Sequence, residues 1–187
     1  YFVRAVQADG HDLWSAPMWI TFGSAGTPAD VGGWRISQAN ATLDYTIPSG
    51  TVIPANGYLV VGRNATKSAF QSFWGVTLGS NVVYLNSADT MPQINGSETY
   101  SLYNAAGTKV EGPTYGMSSS AGQSLRRKDP CNAVGSSTSW NIGATTLATP
   151  GSGAGAGCGG GVKINELSDA AGTGNYVYEF IELHNDR

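Results

Sequence analysis

Two histidines, His11 and His184, near opposite ends of the sequence, are the only imidazoles in this 187-residue chain. Hydrolytic metal centres and Ser/His/Asp triads both need that side chain. His11 lies in "DGHDLW", where Asp9 and Asp12 could assist a metal, but Asp-Gly between alternating apolar runs is also the chemistry of a polar hairpin loop. His184 closes a strand-like run and is expected to cap it or face solvent. Serine is abundant, yet no Gly-x-Ser-x-Gly elbow occurs. "GAGAGCGGG" has the glycines of a phosphate loop without the strand-turn-helix setting, so it reads as a linker. Carboxylates are the remaining candidates. Asp169, Glu166, Glu179 and Glu182 fall within one short C-terminal stretch and could offer oxygen ligands to calcium. No catalytic residue, other metal site or cofactor emerges.

The elements that must position these groups are strands. Apolar residues make up 41% of the chain, enough for a packed core, while charged residues make up only 12%, so Ser, Thr, Asn and Gly carry much of the surface. The net charge is −3, and the one cationic cluster, Arg126-Arg127-Lys128, is followed at once by Asp129, which speaks against nucleic acid as a partner. No run is long enough to span a membrane, and Tyr1 is neither an initiator nor the head of a signal peptide. Cys131 and Cys158 bracket a polar segment. In an exported protein they would form one disulfide, worth about 3–4 kcal/mol from chain entropy, and in the cytosol two free thiols; the composition favours export.

Along the chain, "YFVRAVQ" and "APMWITF" are expected to pair as a hairpin with "ADGHDLWS" as its loop. "GGWRISQ", "LDYTIP", "GYLVVGR", "NVVYLN" and "TYSLYNAAGTKVE" follow as short strands separated by Gly, Pro and Asn. Gly107 is placed to supply the positive φ of the turn in the last of these. "ATKSAFQSFWG" reads as a loop-borne helical turn, and "SLRRKD" as an edge strand. Trp34 and Tyr58 alternate with polar neighbours and read as core anchors; a sugar platform is the other use for such rings, though nothing in the spacing requires it. Asn40, Asn64 and Asn95 head Asn-x-Ser/Thr triplets, which suits exposed loops. A stretch of about twelve residues like "TPGSGAGAGCGGG" has a root-mean-square reach of about 20 Å and a limit of about 40 Å, enough to cross a small domain.

The pieces "VGGWRISQ", "YTIPSGTVIPANGYLVVGRN", "GSETYSLYNAAGTKVEGPTYG", "SLRRKD" and a late Trp before "TPG" together resemble the lamin-tail domain, over roughly residues 29–151. That family is an immunoglobulin-like β-sandwich, found in nuclear lamins and as an accessory module of secreted bacterial proteins. Its first hairpin, "INE…FIEL.N", precedes the "GGW" block. Here the matching residues Ile164-Asn165-Glu166-Leu167 and Glu179–Leu183, with Asn185, lie at the C-terminal end instead. The first stretch, "YFVR…WSAPMWI", is similar to the closing strands of bacterial PHP-type metallohydrolases, whose His- and Asp-rich metal centre has no counterpart in this chain.

The resemblance implies an all-β, immunoglobulin-like sandwich, circularly permuted or strand-swapped. Its expected parts are an N-terminal hairpin and linker (1–28), the sandwich (29–150), a glycine-rich linker (151–161) and the terminal hairpin (162–187). Three arrangements are open: the hairpin closes its own sandwich, enters a neighbouring copy, or begins a second domain that stops short. Ile164, Leu167, Phe180, Ile181 and Leu183 would fill core positions wherever the hairpin goes. Asn165, Glu166, Glu182 and Asn185 would hold backbone at the sandwich edge. The expected role is non-catalytic, extracellular and structural or adhesive, with self-association or a surface polymer as partner. The alternative is a targeting module of a secreted metallohydrolase or nuclease.

Overall fold

The computed structural model describes residues 4–14, 26–39, 43–95, 97–116, 122–153 and 160–187. The first strands, β1 (Arg4–Val6) and β2 (Asp12–Trp14), pair with each other. β3 (Ala29–Asp30), β4 (Arg35–Gln38), β5 (Asp44–Thr46), β6 (Val52–Ile53) and β7 (Tyr58–Gly62) follow at intervals set by Gly, Pro and Asn turns. After helix α1 (Lys67–Trp74) come β8 (Val82–Asn86), β9 (Tyr100–Tyr103), β10 (Lys109–Glu111), β11 (Gln123–Arg127) and β12 (Trp140–Ala144). The chain ends in β13 (Val162–Ser168) and β14 (Phe180–Asn185), joined through a single 3₁₀ turn, Asn175–Tyr178.

Two sheets make the sandwich. The smaller runs β10-β9-β4-β5 and the larger β12-β11-β13-β14-β7-β8; β3 and β6 form a short pair beside them. The C-terminal hairpin therefore supplies the two middle strands of the larger sheet. β13 pairs with β11 and β14 with β7, both antiparallel. Ile36, Tyr45, Tyr100 and Leu102 of the smaller sheet meet Leu59, Val61, Leu125, Ile164, Leu167, Ile181 and Leu183 of the larger in one buried core.

The larger sheet is covered on its second face too. β7 is buried along its whole length, because Leu59 and Val61 point to the main core while Tyr58 and Val60 meet Phe70, Leu78, Val82 and Phe180 under α1. A β-bulge between Ile164 and Glu166 sets the phase of β13. Strand side chains alternate with period two, so one extra residue lets Ile164 and Leu167 share the core face and turns Glu166 to the other.

Several expectations need correction. The N-terminal hairpin closes earlier than its sequence suggests: β2 begins at Asp12, inside the stretch read as loop, and "APMWITF" lies outside the described residues. The helical turn is a two-turn helix, capped by Thr66, whose Oγ1 accepts from Ala69 N–H, and ended by Gly75 at φ 65°. "SLRRKD" is not an edge strand, because β12 pairs along its outer side. Trp34 is only partly buried and packs against the rim of the main core.

Each of Ile181 and Leu183 is fully buried in the middle of the larger sheet, so truncation leaves a cavity that neighbours cannot fill. Leu183→Ala should cost about 2–5 kcal/mol in urea denaturation, and Ile142→Ala, on the half-exposed face of β12, under about 0.5 kcal/mol. A chain shortened to residues 1–161 should lose its cooperative transition. An unchanged midpoint for that shortened chain would contradict the hairpin's place in the sheet.

Candidate functional site

The hairpin's polar residues gather where β13 and β14 meet the segment 149–151. Glu166 and Glu182 are direct cross-strand partners, and both are fully buried. Like charges opposite each other in a sheet repel, and a buried carboxylate without partners is costly. Donors surround these two. Glu166 accepts from Ser124 Oγ at 2.8 Å, from Thr149 N–H at 3.1 Å and from Thr149 Oγ1 at 3.2 Å. Glu182 accepts from Gly151 N–H and from Asn165 Nδ2, each at 2.5 Å. The pair thus holds the Thr-Pro-Gly turn onto the sheet. Gly151 is required there, since its φ is 85° and a Cβ would lie 2.9 Å from Leu78 Cδ2.

Three further polar ties secure the hairpin. Asn185 Nδ2 donates to the carbonyls of Thr27 (2.9 Å), Pro54 (3.0 Å) and Ile53 (3.3 Å), binding the end of β14 to the β3–β6 pair. Glu111 of the smaller sheet accepts from Ile164 N–H at 2.6 Å and pairs with Arg127 at 3.1 Å. Glu179 accepts from Ile94 N–H and lies 3.5 Å from Arg63, which also pairs with Asp89.

Burial governs the titration of these groups. It pushes Glu166 up to about 7, against the hydrogen bonds from Ser124 and Thr149. Glu179 is likewise raised to about 7 by burial. Glu182 is raised well above the usual carboxylate range, first by burial and then by the neighbouring Glu166. His184, expected to cap the strand or face solvent, is buried against the Tyr58 ring, with centroids 4.7 Å apart, and burial lowers its pKa.

Ile164, Leu167, Ile181 and Leu183 all lie in the main core, and Phe180 lies under α1. Asn165, Glu166 and Glu182 lie together midway along the hairpin, and Asn185 lies at its open end beside Val162. Cys131 sits in the turn after β11, where its N–H is held by Asp129 at 2.9 Å; Cys158 lies outside the described residues. The cationic cluster is divided, because Arg127 points inward to Glu111 and stacks over Trp140 at 5.0 Å, while Lys128 is exposed. His11 is an exposed loop residue. Among the described residues, no group of three or more His, Cys, Asp or Glu side chains is arranged to hold a metal ion. The oxygens of Glu166 and Glu182 that calcium would use are turned to N–H and O–H donors instead.

The family described as Lamin Tail Domain matches residues 18–117, just over half of the chain. The chain belongs to the lamin tail domain family. No curated protein and no solved structure gives a match. The lamin tail domain is an immunoglobulin-like, non-catalytic module, and the matched residues contain the whole smaller sheet and α1 but only β7 and β8 of the larger. Beyond the lamin tail match lie β11 to β14, which complete that sheet. Among the described residues no helix is long and apolar enough to cross a membrane.

The sequence reading missed Ser124, Thr149 and Gly151 as partners of the two glutamates. Only the "TPG" turn signalled them, and it carries no mark of its distant acceptors. Carboxylates with raised folded pKa values keep their protons in the folded state while the unfolded chain gives them up above about 4.3. Their stabilisation is therefore present at acid pH and lost as pH rises toward and through 7. His184 acts in the opposite sense, because the unfolded chain gains its proton first as pH falls below about 6.5. Glu182→Gln should flatten the fall in unfolding free energy between pH 5 and 8, and exceed the parent in stability at pH 8. Urea titrations across that range check it; an unchanged slope would contradict the burial of a titrating pair.

Proposed function

We propose that this lamin tail domain is a non-catalytic structural or adhesive module of the extracellular space, permuted so that its opening hairpin closes the sheet from the C-terminal side. The proposed units are the hairpin and linker at 1–28, the sandwich at 29–150, the tether at 151–161 and the closing hairpin at 162–187. The observation that carries the reading is the destination of the carboxylates. Glu166 and Glu182, the pair most suited by burial to acid–base work, are committed to holding backbone at Thr149 and Gly151. A group fixed in that way organises a fold rather than a substrate.

Self-association follows from the same arrangement. A copy whose hairpin has left exposes the flanks of β11 and β7 together, two strand edges that another copy's hairpin fits in every side chain and hydrogen bond. With Cys131 and Cys158 reduced, the glycine-rich tether gives the reach for such an exchange, and a disulfide between them would hold it to the turn after β11. Export is supported by the low charge content and by the Cys131–Cys158 pair, which would form one disulfide closing the loop between them.

A second reading, a targeting module of a secreted metallohydrolase or nuclease, is favoured by one observation. The β1–β2 hairpin falls within the "YFVR…WSAPMWI" stretch similar to the end of PHP-type enzymes, and among the described residues its two strands pair with each other and with no other strand. Finding a His-rich metal-binding domain joined upstream of this hairpin would favour it.

Light scattering tests the exchange. Chain kept native should have the monomer mass at all concentrations, and chain refolded from denaturant at high concentration should give dimers and larger species. Monomer alone after concentrated refolding would contradict strand exchange.

A further inference from the structure

At the C-terminal end of α1 a cleft of about 410 Å³ opens between the helix, the turn 145–148 and the loop at 171, lined by Phe73, Trp74, Thr145, Thr146, Ala148 and Ala171. Its size is that of a small-ligand site. Phe73 is 37% exposed, although Phe70, one turn earlier on the same helix, is fully buried and already fills the core beneath.

Both rings are held rigidly. Phe73 stacks on Tyr178, with planes 5° apart and centroids 4.1 Å apart, and meets Trp74 edge-on. The Trp74 indole N–H donates to the Tyr178 carbonyl at 3.0 Å. Aromatic surfaces locked in place before binding lose little entropy when a ligand arrives.

The chemistry of the lining selects among ligands. None of the six residues is ionisable, so an ionic ligand gains no charge partner among the described lining residues. The lining comes from a helix, a 3₁₀ turn and a loop rather than a strand edge, so it offers no ladder for an extended peptide. What it does offer is aromatic carbon beside two threonines, Thr145, which is buried, and Thr146, which is exposed. A pyranose ring matches both features, with C–H groups on its faces and hydroxyls around its rim.

We propose that this cleft binds an uncharged saccharide, with the sugar ring against Phe73 and Trp74 and its hydroxyls toward Thr145 and Thr146. The inference rests on the surface-binding side of the adhesive reading and names the class of polymer that reading leaves open.

Isothermal titration of the full chain with cello-, xylo-, manno-, laminari- and chitohexaose, and with hexagalacturonate as the charged comparison, tests it. At least one neutral hexasaccharide should bind with millimolar or tighter affinity, and the acidic one more weakly. Phe73→Ala should weaken binding by about tenfold, and Phe73→Tyr should restore it. Ala171→Arg, which carries a long side chain into the cleft from its exposed rim, should abolish it and decides the matter should Phe73→Ala fail to fold. No heat from any neutral sugar at millimolar concentration, a preference for hexagalacturonate, or binding unchanged in a folded variant would overturn the proposal. None of those results would alter the oligomer masses that test strand exchange, so the two readings fail separately.

Discussion

Two glutamates facing each other across the centre of a six-stranded sheet, with no access to water, set the terms for the rest of this structure. Glu166 and Glu182 can occupy those positions only if donors reach them, and the donors come from far along the chain: Ser124 of β11 and the backbone of Thr149 and Gly151. Satisfying the pair therefore fixes three things together. It seats the hairpin next to β11, folds the Thr-Pro-Gly turn over the sheet, and requires a glycine at position 151. Removing one member of such a set leaves the others buried without partners, which costs more than the lost hydrogen bond itself.

The bulge at Asn165 makes this arrangement compatible with a sandwich. Without it, Ile164 and Glu166 would lie on one face, and β13 could not supply both Ile164 and Leu167 to the core. The extra residue reverses the phase, so the apolar residues face the smaller sheet and the acids face the covering turn. Glu111 completes the adjustment by accepting the Ile164 N–H, in a part of β13 that β11 does not pair. Arg127, held by the same Glu111, links β11 to the smaller sheet.

Much of the fold was legible in the sequence because alternation and punctuation are local signals. "GYLVVGR" and "NVVYLN" became β7 and β8, and Gly107 at φ 78° turns the β9–β10 hairpin. The lamin-tail resemblance rested on such pieces in order. What stayed hidden depended on distant partners. β12, with its exposed Ile142 and a glycine beside it, has too weak an alternation to announce a strand, so "SLRRKD" looked like an edge. His184 read as a strand cap or a solvent-facing residue because nothing local shows that Tyr58 covers it. The helix was underestimated although Thr66 and Gly75 marked both its ends. For the site, the acids were visible and their donors were not, since a Ser, a Thr and a Gly in three different segments carry no common pattern.

The central claim is that the hairpin closes the sheet of its own chain, with Leu183 beside Leu59 and Ile181 beside Val61. The most direct measurement is an isotope-filtered NOE experiment on ¹³C-labelled and unlabelled chains refolded together at low concentration. Contacts between the Leu183 and Leu59 methyl groups should then appear only within labelled chains, with no signal between labelled and unlabelled ones. A filtered Leu183–Leu59 signal between chains would contradict closure and make exchange the ground state.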